Sequence, residues 1–328
     1  MEVLKYEIKG KEYEIPNSWE ALTPKQFVFL AGLLSEYAQQ KISVADVKLR
    51  FVIHVLDIDM NYVPPKHEDV IFQNLYILTS NITFIFSIKY DSKVWNQLSP
   101  ETKKLAEKIE PIFLPPSPEA RILQKQKYHF VVDALFVKQL LPTIRIRYRR
   151  FKAYTITTEA NNLSTTLTAK QYVDASEERS RINEGAGSLA MLTAILYCPK
   201  PYSPEKAHGL VSTFGKHLDR NTMEAVALNF QAFMLFLFQR THFRLLWRKP
   251  KAGSTGKYTV GLANGLYNLS ADGYGDLNTV YQYSALEYLE LLYKKLLDTV
   301  VSMRSGGMDD SAIAEKTNLD INIVMEIK

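Results

Sequence analysis

Apolar residues recur along this chain at two different periods. From Val3 to Ile15, Tyr6, Ile8, Tyr13 and Ile15 alternate with charged residues around Gly10, a pattern that predicts a β-hairpin. Pro16-Asn17-Ser18-Trp19 turns the chain. Thr23 then precedes Pro24, the pairing of cap and first-turn proline that opens a helix. Phe27, Leu30, Leu34 and Tyr37 mark its buried stripe as far as Gln39, and Ser43 caps a second helix through His54 and Val55. Phe84, Phe86, Ile88 and Tyr90 read as a strand. Pro111, Pro115, Pro116 and Pro118 punctuate a loop.

Near 142 the pattern changes. Ile144-Arg145-Ile146-Arg147-Tyr148-Arg149 alternates strictly, which predicts one strand with an apolar and a cationic face. Helical periods follow over Thr168 to Ile182, Ser188 to Tyr197, Ser203 to His217 and Thr222 to Trp247. Asn221 and Glu224 stand where a capping box would open the last of these. Pro250 to Gly275 reads as a Gly-rich loop. Asp276 to Met303 reads as one long amphipathic helix, with Leu286, Leu289, Tyr293, Leu296 and Val300 on its stripe. Two short helices split near Asn318 follow Ser305-Gly306-Gly307. The fold class this predicts is mainly α (α+β), with small β elements.

Two short motifs recur in the same order. Lys11-x-Tyr13-x-Ile15 is followed by Leu22-Thr23-Pro24-Lys25-Gln26-Phe27-Val28. Lys152-x-Tyr154-x-Ile156 is followed by Leu167-Thr168-Ala169-Lys170-Gln171-Tyr172-Val173. Each time a strand leads into a Thr-capped helix and a second apolar helix. This is the signature of a duplicated strand–helix–helix unit. It predicts an N-terminal lobe over 1–142, a helical lobe over 143–303 that partly repeats it, and a two-helix tail over 304–328.

Composition narrows the picture. With 46% hydrophobic and 23% charged residues, the chain can bury a core and is not a disordered one. The net charge of +5 permits an acidic partner without demanding one. The single cysteine, Cys198, lies in an apolar run, so it reads as a small buried hydrophobe; a disulfide framework and a cysteine zinc site are excluded. No apolar segment opens the chain as a signal peptide would, and none approaches the ~20 residues of a membrane span. The expectation is an intracellular protein without a membrane segment.

Catalytic and metal signatures fail on inspection. The histidines, His54, His67, His129, His208, His217 and His242, have no ligand spacing. Asp57, Asp59, Asn61 and Glu68 match the outer positions of a calcium loop, but Tyr62 stands where its turn needs Gly. Gly253-Ser254-Thr255-Gly256-Lys257 lacks the first Gly and the final hydroxyl of a phosphate loop. Asp174, Glu177 and Glu178 could serve an enzyme only by meeting in a cleft. No catalytic residue, metal site or cofactor is therefore assigned. The densest basic run, Arg145, Arg147, Arg149, Arg150 and Lys152, is interleaved with Tyr148, Phe151 and Tyr154, a composition suited to a nucleic-acid backbone or to carboxylates. Arg244, Arg248, Lys249 and Lys251 form a second basic group around Trp247. The tail around Ala312 to Val324 has the outline of half a helix-turn-helix but lacks the cations a DNA reader needs.

The segment Ser18-Trp19-Glu20-Ala21-Leu22-Thr23-Pro24-Lys25-Gln26-Phe27, its second copy at Leu167 to Tyr172, Leu196-Tyr197-Cys198-Pro199, the loop and helix from Tyr267-Asn268-Leu269-Ser270 to Leu292, and the tail from Ala312 to Val324 together resemble proteins of tailed-phage and prophage tail modules, tail assembly chaperones among them. The resemblance implies a non-enzymatic assembly protein that binds a tail or tape-measure protein, in the bacterial cytoplasm or the virion. On that reading the contact candidates are Trp19, Phe27, Tyr172 and Trp247. The alternative is a nucleic-acid-associated factor using the basic run at 145–152.

Overall fold

Polar caps decide where the helices of this protein begin. The computed structural model describes residues 2–8, 11–59, 68–90, 93–159, 162–246, 260–317 and 319–327. It is 59% helical with small two-stranded antiparallel ladders, a mainly α (α+β) fold. The chain divides into two units, Met1–Phe136 and Val137–Lys328.

In the first unit, β1 (Val3–Ile8) and β2 (Lys11–Pro16) pair antiparallel with Tyr6 opposite Tyr13. Helix α1 (Pro24–Ala38) starts at Thr23, whose hydroxyl accepts from the Gln26 N–H while the Gln26 side chain accepts from the Thr23 N–H. Helix α2 (Val44–Val55) repeats this capping box with Ser43 and Asp46, and a third helix, α3 (Glu68–Ser80), follows. Strand β3 (Phe86–Tyr90) pairs antiparallel with β4 (Tyr128–Val132), and α4 (Pro100–Ala106) and α5 (Pro118–Leu123) fill the interval. The Pro-rich stretch is thus partly helical: Pro111 opens a 3₁₀ turn and Pro118 the first turn of α5, where a missing N–H costs nothing.

The core of this unit is aromatic. Trp19 stacks on Phe136 at 5.1 Å and meets Phe84 and Phe27 edge-on at 5.2 and 6.3 Å. Its indole N–H donates to the Asp133 carbonyl at 2.6 Å, so its one polar atom is satisfied. Each such ring contributes roughly 1.5–3 kcal/mol by burial.

The second unit opens with two hairpins, β5 (Thr143–Ile146) with β6 (Arg149–Lys152) and β7 (Ile156–Glu159) with β8 (Asn162–Thr165). The run 144–149 is therefore not one strand. It contains a two-residue turn at Arg147-Tyr148, hidden from pattern reading because neither residue is Gly, Asn or Asp. Helices α6 (Ala169–Asn183), α7 (Leu189–Leu196) and α8 (Pro204–His217) begin at Thr168, Ser188 and Ser203. Helix α9 (Arg220–Arg240) is capped by Asp219, not by Asn221, because the Asp219 carboxylate accepts the Thr222 N–H at 2.8 Å. It stops at Arg240, and a 3₁₀ turn carries His242–Leu246.

Two further expectations are corrected here. Val260–Ala271 is helical (α10), not loop, with Leu266 and Leu269 buried. The long helix is two: α11 (Leu277–Gln282) and α12 (Ala285–Ser305), divided where Ser284 and Glu287 form a capping box. The break is tied to α6, since Ala169 N–H donates to Tyr283 O and Ala285 N–H to Leu167 O, both at 2.8 Å. The chain continues into α13 (Asp310–Thr317) and α14 (Ile321–Glu326). Ile313 and Val324 pack with Leu296 and Val300 of α12. Arg304 binds Asp310 and the carbonyls of Val324 and Ile327.

The helical parts of the two sequence repeats are also alike in conformation, but Lys152-x-Tyr154-x-Ile156 is not one strand like Lys11–Ile15 of β2: it runs from the end of β6 through a loop to the start of β7. Helices α1 and α6 both run 15 residues, and Ser43 and Ser188 follow Thr23 and Thr168 at the same interval. Val47, Phe51 and Val52 of α2 are buried, and so are their counterparts Leu192, Leu196 and Tyr197.

Candidate functional site

Three of the four aromatic contact candidates are interior. Trp19 and Phe27 are buried in the first unit's core, and Tyr172 is buried in the second, edge-on to Phe230 at 6.1 Å. Packing claims these rings, so they offer no surface to a partner. Trp247 lies outside the described residues, as do Arg248, Lys249, Lys251, the Gly253–Lys257 stretch and the middle of the Asp57–Glu68 segment. Arg244, of the same basic group, pairs with Glu326 at 2.8 Å.

Two of the three carboxylates considered for an enzyme, Asp174 and Glu178, are engaged in holding the fold. Asp174 takes Lys170 Nζ and the Tyr202 hydroxyl, each at 2.6 Å. Glu178 accepts the Ser188 N–H at 2.6 Å, at the start of α7, and pairs with Arg181. Burial, and then the charge of Asp174, hold the Glu177 carboxyl above the usual range. Cys198 is buried, and burial pushes its thiol up. Among the described residues no group of three or more His, Cys, Asp or Glu side chains could hold a metal, and no helix is long and apolar enough to cross a membrane.

Two surfaces stand out among the described residues. The first is built on α3, whose sequence is apolar nearly all round, Val70, Ile71, Phe72, Leu75, Tyr76, Ile77 and Leu78. The fold buries only Leu75 among these, leaving Tyr76 61% and Ile77 59% exposed, with Val70 and Phe72 also open. A groove of about 590 Å³ runs between α2 and α3, lined by Ala45, Asp46, Leu49, Phe72, Gln73, Tyr76, Ile77 and Thr79. Seven apolar residues within a 13-residue helix were the signal in the sequence, since a helix hydrophobic on every side needs cover on every side.

The second surface is the β5–β6 hairpin, where all five predicted cations are exposed. Its register pairs Ile144 with Phe151, Arg145 with Arg150 and Thr143 with Lys152. Ile144, Ile146 and Phe151 are buried, and Phe151 meets Phe214 of α8 edge-on at 5.0 Å. Arg145, Arg150 and Lys152 therefore share the outward face, while Arg147 sits in the turn. Arg149, opposite Ile146, belongs to the inner side. The Ala153 N–H donates to Pro142 O at 3.0 Å, which marks 142–153 as a hydrogen-bonded rung. By alternation 145–150 is a non-bonded rung, where side chains come closest. Two like charges directly opposite cost about 0.2–1 kcal/mol. Arg147 adds a left-handed φ of 53°, worth about 1 kcal/mol for a residue other than Gly. The Tyr148 ring is wholly exposed. Comparison of the chain with protein-family models, known proteins and solved structures found no match.

Proposed function

We propose that this chain is a non-enzymatic assembly protein that docks an amphipathic helix of a protein partner in the α2–α3 groove. The observation that carries the reading is the open apolar side of α3, beside a groove whose walls are two helices. A third helix laying its apolar stripe there would anchor residues at i, i+3 or i+4, and i+7. Asp46 is among the groove's lining residues, and its carboxylate favours a basic residue on that helix. The resemblance to tail-module proteins names the partner class: a tail or tape-measure protein, rich in long helices, met in the bacterial host cytoplasm and carried into the virion if the contact persists.

Co-expression with the neighbouring tail proteins, followed by co-purification at moderate salt, tests this. Tyr76→Asp and Ile77→Asp place charges in the groove at exposed positions, so the fold should survive. The expected result is a stable complex with the unmodified chain and its loss with either variant. A complex indifferent to both substitutions, or no complex with any tail protein, overturns the reading.

A further inference from the structure

We infer that the β5–β6 hairpin is a docking arm for single-stranded nucleic acid, with Arg145, Arg150 and Lys152 taking phosphates and Tyr148 stacking on a base. The inference concerns the second unit and stands apart from the groove on the first.

Charge carries the first part. Elsewhere in the described residues five arginines find carboxylates: Arg50 pairs with Glu36, Arg181 with Glu178, Arg220 with Glu224, Arg244 with Glu326 and Arg304 with Asp310. Among the described residues no carboxylate pairs with the hairpin cations. Two of them face each other at the rung of closest approach, and a third, Lys152, stands on the same face. This arrangement is unfavourable in the free protein and becomes favourable when a polyanion lies along it, because each phosphate neutralised also releases a condensed counterion.

Shape carries the second part. The hairpin is held by its apolar inner side, so its outward face is fixed before any ligand arrives. At its tip a tyrosine with no packing partner offers a flat π-face. Base–aromatic stacking needs an unpaired base and tolerates any sequence, which selects a single strand over a duplex. An acidic protein segment would satisfy the cations but would have no use for the ring. The turn supports the same reading: glycine would relax the left-handed backbone at the first turn position, yet the chain places a fourth cation, Arg147, there.

The test is fluorescence anisotropy of the full chain with a short labelled oligothymidylate, repeated with a duplex of the same length over a salt series. The expected result is preference for the single strand and a log–log salt slope of about −0.7 per phosphate contact. Arg145→Gln with Arg150→Gln should flatten that slope by roughly 1.4. Tyr148→Ala should weaken binding about tenfold while leaving the slope unchanged. All these positions are exposed, and circular dichroism of each variant checks that its fold is intact. Absence of binding at low salt, tighter binding of duplex, or a Tyr148→Ala variant that binds as well as the parent overturns the inference. So does an acidic polypeptide that competes with the oligonucleotide equally well in parent and Tyr148→Ala proteins.

Discussion

Gln171 donates its side-chain amide to the carbonyl of Ile195 at 2.7 Å, joining α6 to α7 inside the second unit. Its counterpart in the first repeat, Gln26, turns back to cap its own helix at Thr23. The same residue type at the same repeat position has been given a tertiary bond in one copy and a local bond in the other. Gln171→Ala should therefore cost about 2–3 kcal/mol, the loss of a buried bond plus a cavity, and Gln26→Ala less than about 1 kcal/mol. Urea unfolding midpoints measure both, and equal losses would contradict the division of labour.

Gly265 is constrained by a neighbour, not by its own backbone. A Cβ there would lie 2.5 Å from the Tyr288 hydroxyl and 3.0 Å from Leu292 Cδ2, and that hydroxyl donates to Leu262 O. Gly265→Ala should destabilise by about 1–3 kcal/mol through overpacking, although Ala is the better helix former by about 1 kcal/mol. Tyr288→Phe in the same chain removes the nearest atom, so the double variant should recover part of the loss. A purely additive cycle would show that the clash is relieved elsewhere.

His54 makes the first unit sensitive to acid. Its ring stacks on Phe29 at 3.8 Å, and partial burial, followed by the charge of Lys25, holds its pKa below 6.5 against the pull of Asp57. The folded state binds this proton less readily than the unfolded state, so stability rises with pH. The contribution is present above pH 6.5 and is lost as the pH falls from there through the folded-state value. Unfolding midpoints of the parent and His54→Gln, taken on both sides of that window, should converge at the acid end.

The hairpin predicts opposite changes in stability and binding. Arg150→Glu turns a like-charge rung into an opposite-charge one and should stabilise the protein by up to about 1 kcal/mol. Arg147→Gly should do so by a similar amount through the turn. Both should weaken oligonucleotide binding. Thermal unfolding that shifts downward in either variant would show that the strain assigned to this hairpin is absent.

Local chemistry was legible and long-range cover was not. Thr23-Pro24 and Thr168-x-x-Gln171 announced their helices because a cap is made by residues three apart. The same locality misplaced other features. Ser284 and Glu287 form such a box inside a helical period, and the break shows only once Leu167 and Tyr283 are known to bond the neighbouring backbone. Gly265 and its surroundings read as loop because a glycine kept for close packing looks like one kept for a turn. Arg147-Tyr148 passed for strand because alternation runs straight through it. Large aromatics suggest a contact surface, yet Trp19, Phe27 and Tyr172 are core, while α3, which no cap or strand alternation marks in the sequence, carries an exposed apolar side.

Every ladder among the described residues has only two strands, so each strand has an outer edge of N–H and C=O groups, that of β3 partly taken where the Ile88 N–H donates to Glu107 O. Such edges invite pairing with other chains unless charge blunts them. In β1 and β2 the exposed side chains Lys5, Glu7, Glu12 and Glu14 do this, and in β5 and β6 the arginines do. Strands β7 and β8, Ile156-Thr-Thr-Glu and Asn-Leu-Ser-Thr, carry a single charge between them. At high concentration that hairpin is the weak point for self-association, and a lysine at Thr158 or Ser164 is the substitution that would keep the protein in solution.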